Sequence, residues 1–351
     1  MTEIAITLRQ LGPQDGSTFA RVLAASPDTG TIRSTVHYKI DPYWALMSPP
    51  SESVGVVAET PAHDGIIGGA LIRFGHIQLK GELRSSALLH TLVVHPDFRR
   101  RGVASQVSTW LWKSARRRQG EDIVFWALIQ RNNTGSERTA LKWATQFLGG
   151  CIAVVPLKVR SAPPSRSRYF EVRPPRLEEL GEVVEGLNRF YLDYNFFSPE
   201  SETSLADWLN VTPFDSPFRH YRVVTDRAGS LLAGVALAES YRLRTTLITH
   251  LPLALRLPNL VFRVVPPTGE LREIAVSRFW YAPGQERAAR HLLETMRWEW
   301  RERATALMLT TDVRGHLMPL IGLHDRLGKA VLSVAVCAPV MCSEGKLCYC
   351  A

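Results

Sequence analysis

The stretch from Leu88 to Ala104, LLHTLVVHPDFRRRGVA, holds the densest chemistry in the sequence. An apolar run stops at His95-Pro96, three arginines follow, then Gly102 and Ala104, and an amphipathic pattern begins. A helix start leaves backbone N–H groups unpaired and carries a partial positive charge, so it can seat a phosphate. Gly102 and Ala104 leave the backbone bare enough for a pyrophosphate to approach. Arg99, Arg100 and Arg101 add countercharge and planar donors.

The elements that must position this stretch follow from hydrophobic periodicity. Ile4 to Leu11 predicts a strand, and Gly16 to Ala25 a helix with Phe19, Val22 and Leu23 on one side. Val54 to Glu59, Ile66 to Phe74 and Ala87 to Val94 predict three strands of an antiparallel meander, the first two joined by a turn at Pro61 to Gly65. Val103 to Arg118 predicts a helix with Val103, Val107, Trp110, Leu111 and Ser114 on one face. A strand over Asp122 to Ile129, a helix over Ser136 to Phe147 and a strand over Cys151 to Val159 complete the first half. Ser161 to Arg168, SAPPSRSR, reads as a linker.

Arg99-Arg100-Arg101-Gly102-Val103-Ala104 resembles the acetyl-CoA signature of the GCN5-related N-acetyltransferase (GNAT) family, Arg/Gln-x-x-Gly-x-Gly/Ala, and Val93 to Phe98 resembles the family's usual lead-in. The resemblance implies an α+β fold with a mixed, mostly antiparallel sheet flanked by helices, covering residues 1–160. The second half looks like a worn repeat. Val223-Val224 to Leu237 parallels Val56-Val57 to Leu71, and Leu271 to Met296 parallels the signature region without its arginine motif. The expectation is two tandem GNAT-like domains, residues 1–160 and 169–351, joined by 161–168; an unrelated α+β second domain is the alternative. The tandem arrangement and the segment LPLALRLPNL also resemble the Hookless-type acetyltransferase-like proteins of plants.

The resemblance implies acetyl-CoA as cosubstrate and a primary amine on a small molecule, peptide or protein as acceptor. The backbone of Leu92, Val93 and Val94 would hold the pantetheine arm, and one amide there would polarise the thioester carbonyl. The amides of Arg100, Arg101, Gly102, Val103, Ala104 and Ser105 would meet the pyrophosphate, with Arg99 nearby. Asn133 and Ser136 are similar to a second CoA-contacting region, or Ser136 is simply a helix cap. Many relatives carry a Glu base on the signature strand where this chain has His90; strand alternation predicts that His90 shares a face with Leu92 and Val94. His90 is therefore the candidate base, with Glu59 as a second, and the alternative for His90 is a hydrogen bond within the sheet. The tyrosine that often serves relatives as general acid is missing, with Trp143 or Phe147 near its place. The rival reading is a non-catalytic acyl-CoA-binding or interaction protein.

Length and composition agree with two globular domains: 351 residues, 45% hydrophobic and 21% charged. No apolar run is long enough for a transmembrane helix, and the first residues do not read as a signal peptide. The net charge of +9 raises a nucleic-acid reading. Arg99 to Arg101 are absorbed by the pyrophosphate seat, however, and Arg116 to Arg118 fall on the polar side of the following helix. Five cysteines without a CxxC pair argue against a disulfide framework and for a reducing cytoplasmic setting. Four of them (Cys337, Cys342, Cys348 and Cys350) crowd the C-terminus, as ordinary thiols or a zinc site; no metal is expected in the chemistry.

Overall fold

The computed structural model describes residues 4–27, 30–165, 167–262, 265–342 and 346–349. The elements run β1 (Thr7–Gln10), α1 (Gly16–Ala25), β2 (Arg33–Tyr38), α2 (Pro42–Met47), β3 (Ser53–Thr60), β4 (His63–Leu79), β5 (Glu82–Val94), α3 (Val103–Gln119), β6 (Val124–Gln130) and α4 (Thr134–Ala140). There follow β7 (Gln146–Lys158), β8 (Glu171–Arg173), α5 (Leu180–Phe190), α6 (Glu202–Asn210), β9 (Arg219–Thr225), β10 (Leu231–Ala238), α7 (Ser240–Leu243), β11 (Arg244–His250) and α8 (Leu253–Phe262). The chain ends through β12 (Glu270–Leu271), β13 (Glu273–Tyr281), α9 (Glu286–Glu299), β14 (Ala306–Asp312), α10 (Leu323–Leu327) and β15 (Ala330–Cys337). The fold is α+β, built as two units with mostly antiparallel sheets flanked by helices.

The units exchange segments of chain. The first comprises residues 1–150, 243–251 and 332–344; the second comprises 151–242, 252–331 and 345–351. In the first unit β1, β3, β4 and β5 form an antiparallel meander, β6 joins β5 in parallel, and β15 adds antiparallel to β6. The strand expected over Cys151 to Val159 does not pair with β6. It pairs antiparallel with β14 in the second unit, from Ile152↔Asp312 to Lys158↔Ala306. The expected boundary near residue 160 is therefore replaced by Gly150/Cys151, with β15 supplying the missing strand. Hydrophobic pattern marks a strand but not its partner, which is why the exchange is invisible in local sequence.

Two apolar faces sandwich the first sheet. On one, Val103, Val107, Leu111 and Ala115 of α3 are buried against Ile67, Ala70, Leu89, Phe125 and Ala335. On the other, Phe19 and Val22 of α1 pack on Val57, Leu71 and Val93. The second unit repeats the scheme, with Ala288, Ala289, Leu292, Leu293 and Met296 of α9 covering β10, β13 and β14. The helix expected to reach Phe147 stops at Ala140, and Phe147 lies on β7.

Ala335 of β15 is fully buried in the first core. Ala335→Asp places an unpaired charge there, costing several kcal/mol. Thermal denaturation is expected to show a clear fall in the unfolding midpoint; an unchanged midpoint would remove β15 from that core.

Candidate acyl-CoA site

A break in strand alternation builds the site. The register of β4 with β5 shifts between Gly69↔Val93 and Leu71↔His90, and Thr91 takes a left-handed φ of 56°. Such a bulge bends the strand and increases its twist. Parallel pairing of β5 with β6 runs from Ser86↔Val124 to Leu89↔Ala127 and stops there, although both strands continue. Beyond Leu89 the two strands no longer pair, which leaves an opening in the ladder beside Leu92 to Val94. Backbone groups along such an opening need partners.

The opening leads to the start of α3. Gly102 caps this helix with φ 83° and no side chain satisfies the first-turn N–H groups. Arg100 is left-handed too, at φ 62°. Backbone turned this way presents successive N–H groups to an anion. The Arg99 Nε donates to the Val94 carbonyl at 3.2 Å, tying the arginine to the strand end. Arg101 lies over the Phe98 ring at 5.6 Å. Leu92, Val93, Val94 and Arg99 to Ser105 are thus assembled on one strand–loop–helix unit. A Cβ on Gly102 would meet only the Gln106 Nε2 at 4.0 Å, so its need for glycine is conformational rather than steric.

Asn133 and Ser136 sit apart from that unit, at the start of α4, where Asn133 Oδ1 accepts from the Ser136 N–H at 3.2 Å. The cap is Asn133, not Ser136. The chain after α4 supplies a residue the sequence reading missed: Lys142 Nζ donates to Ser105 Oγ at 2.9 Å, bringing a fourth cation to the α3 start. A lone lysine in a polar stretch carries no sequence signal for this. Trp143 is buried with its ring edge-on to Phe125 at 4.9 Å, so it is core rather than acid.

The bulge also relocates His90. Leu92 and Val94 pack toward α3, whereas Val93 and Leu71, the cross-strand partner of His90, lie on the α1 face. The extra residue reverses the expected parity, so His90 does not share a face with Leu92 and Val94. Its Nδ1 contacts Thr91 Oγ1 at 2.9 Å, and its Nε2 is buried without a partner. Burial, with the Arg73 charge adding to it, pushes the imidazole pKa down to about 3. His90 is neutral at pH 7 and is a poor proton store. Glu59 is separated from β5 by β4 and receives Arg9 at 2.6 Å; Arg9 also binds Asp15 at 2.7 Å. That carboxylate is committed to an ion-pair cluster.

The second unit repeats the frame and fills it. The β10–β13 register shifts between Gly234 and Ala236, Arg278 has φ 49°, and parallel pairing with β14 ends at Val276↔Leu309. Here tyrosine hydroxyls take two carbonyls at the bulge itself. Tyr191 Oη donates to the Phe279 carbonyl at 2.6 Å, and Tyr221 Oη to that of Arg278 at 3.2 Å. Only Ala282 to Gln285 separate β13 from α9, and α9 opens with Glu286, which repels a phosphate.

Residues 27–144 match the model of the Acetyltransferase (GNAT) family. They are a GNAT-family domain. No curated protein sequence matches the chain significantly. Among solved structures, a GCN5-related N-acetyltransferase from Sphaerobacter thermophilus aligns at 14% identity and TM-score 0.60, covering 96% of this chain and 98% of that one. A tandem GNAT protein from the clavulanic acid biosynthesis pathway aligns at 12% and 0.57, covering 96% and 100%. Saccharomyces cerevisiae N-myristoyltransferase with bound myristoyl-CoA aligns at 11% and 0.60, covering 94% of this chain and 78% of that one. At these identities the likeness shows the fold alone. Among the described residues no helix is long and apolar enough to cross a membrane, and no group of three or more His, Cys, Asp or Glu side chains is placed to hold a metal ion. In the second arginine triplet, Arg116 pairs with Glu121 and Arg118 with Glu52.

Three outcomes are expected. Gly102→Ala adds only backbone strain, on the order of 1 kcal/mol, and weakens acyl-CoA affinity modestly. Gly102→Glu adds a negative charge at the helix start and abolishes binding; calorimetry showing equal affinity for both variants would move the site elsewhere. For His90, the unfolded state takes up a proton below about pH 6.5 while the folded state does not until its lower pKa. Stability is therefore lost as pH falls through that window. In thermal melts, His90→Gln should lose less stability between about pH 7 and pH 5 than the wild type; an identical loss would show that His90 is not buried neutral.

Proposed function

We propose that this chain is an acetyl-CoA-dependent N-acetyltransferase that passes an acetyl group to a primary amine by direct attack. The observation that carries the proposal is the end of β5–β6 pairing beside the uncapped, basic start of α3. The backbone along Leu92 to Val94 holds the pantetheine arm, and an amide there stabilises the developing charge on the thioester oxygen. The amides of Arg100 to Ser105 take the pyrophosphate, with Arg99 and Lys142 as countercharges; Asn133 and Ser136 support the segment that carries Lys142. The amine enters neutral, and alignment supplies much of the rate. His90 serves through its neutral Nε2, accepting a hydrogen bond from the amine or an intervening water. Its lowered pKa suits that role better than full proton storage. Five cysteines without a CxxC pair support a reducing cytoplasmic setting.

A second reading has its own support. The low His90 pKa and the absence of a tyrosine near α4 both favour an acyl-CoA-binding protein without turnover. The acyl group itself is open to test, because the fold is shared with a protein that binds myristoyl-CoA.

The experiment is a panel of primary amines with acetyl-CoA and myristoyl-CoA, reading thiol release and acylated product by mass spectrometry. Acetylated amine is expected, with His90→Ala lowering kcat by roughly tenfold or more at unchanged acetyl-CoA affinity. The wild-type pH–rate profile should show no limb near pH 6.5 from His90. Tight binding without turnover on any amine would establish the second reading, and turnover with myristoyl-CoA alone would replace the acetyl group.

A further inference from the structure

Cys151 and Cys348 belong to segments far apart in sequence but adjacent in the second unit. Both are buried, at 7% and 2% exposure. Asp312, which binds Cys348, pairs across the β7–β14 ladder with Ile152, the neighbour of Cys151. Each backbone is independently fixed. The Cys151 carbonyl accepts from the Val313 N–H at 2.8 Å, and the Cys348 N–H donates to Asp312 Oδ2 at 2.8 Å. The tail around Cys348 is clamped by Asn195, whose N–H donates to the Leu347 carbonyl and whose carbonyl accepts from Tyr349, both at 2.8 Å. Tyr349 then packs on Tyr191 at 4.5 Å and on Phe197 at 5.0 Å. Tyr191 is the residue that occupies the Phe279 carbonyl beside the second bulge. The tail is therefore a packed part of the second unit's filled opening.

We propose that Cys151 and Cys348 form a redox-responsive latch that locks the C-terminal tail onto the second unit. The hydrogen bond from Cys348, aided by the Arg314 charge, lowers the Cys151 thiol pKa against burial and the nearby Asp312. Thiolate character is what disulfide exchange requires. With a low-molecular-weight disulfide such as oxidised glutathione, the Cys151 thiolate attacks one sulfur and expels a glutathione thiolate. The Cys348 thiolate then attacks Cys151 Sγ and expels the second. The protein loses two thiol protons and two electrons, and one glutathione disulfide becomes two glutathione thiols. The other described cysteines stand elsewhere: Cys337 lies beside Trp112 in the first unit, and the Cys342 N–H and carbonyl both bond the Gln146 amide. Cys350 lies outside the described residues.

The test uses the full chain treated with oxidised glutathione, then mapped by non-reducing proteolysis and mass spectrometry. A peptide joining Cys151 to Cys348 is expected. Carboxypeptidase release of the tail should slow about tenfold on oxidation, reverse with reductant, and stay fast in Cys348→Ser. The wild-type map needs no variant, so misfolding of a variant does not blunt the test. A bridge to Cys337, Cys342 or Cys350 would overturn the proposal. So would both thiols remaining open to alkylation in denaturant after oxidation.

Discussion

The site depends on one backbone irregularity, the extra residue at Thr91. A regular β5 would continue its ladder with β6, and every carbonyl and amide along Leu92 to Val94 would be spent inside the sheet. The left-handed Thr91 ends that ladder at Leu89↔Ala127 and leaves a backbone edge pointing into an opening. A left-handed β-branched residue is strained, and such strain persists only where the surroundings over-determine it. Here Leu71 and Val93 on one face and Leu89, Leu92 and Val94 on the other supply that restraint. The same extra residue decides the side on which His90 stands, and so which chemistry it can join.

The second unit is an internal control for this argument. It carries the same register shift, a left-handed residue at Arg278 and a parallel pairing that ends after four residue pairs. Geometry alone therefore does not separate the two units. What differs is how the freed groups are satisfied. In the second unit Tyr191 and Tyr221 take the carbonyls, and Arg278 is bound by Glu200 at 2.6 Å. The helix that follows opens with Glu286 rather than with a glycine among arginines. The first unit keeps its opening and surrounds the helix start with Arg99, Arg100, Arg101 and Lys142.

Much of this was legible in the sequence. Periodicity located α1 at Gly16–Ala25 and the start of α3 at Val103, and the glycine after three arginines falls at the cap of that helix. The parallel between the two halves was visible because strand, loop and helix recur in order. The rest was hidden for physical reasons. A bulge shifts parity by one residue without altering composition, so His90 was placed on the wrong face. Strand exchange concerns partners rather than propensity, so Cys151 to Val159 was given to the first domain. Lys142 reaches Ser105 only because α4 ends at Ala140, earlier than its apolar pattern suggested.

The central claim is that one bulged opening takes acyl-CoA while its repeat is closed by its own side chains. Hydrogen–deuterium exchange with and without acetyl-CoA tests this most directly, because it reads backbone amides in both units at once. The account predicts slowed exchange at Leu92 to Val94 and Arg100 to Ser105, with none added at Phe279 to Tyr281 or at the start of α9. Protection at both units, or only in the second, would contradict it.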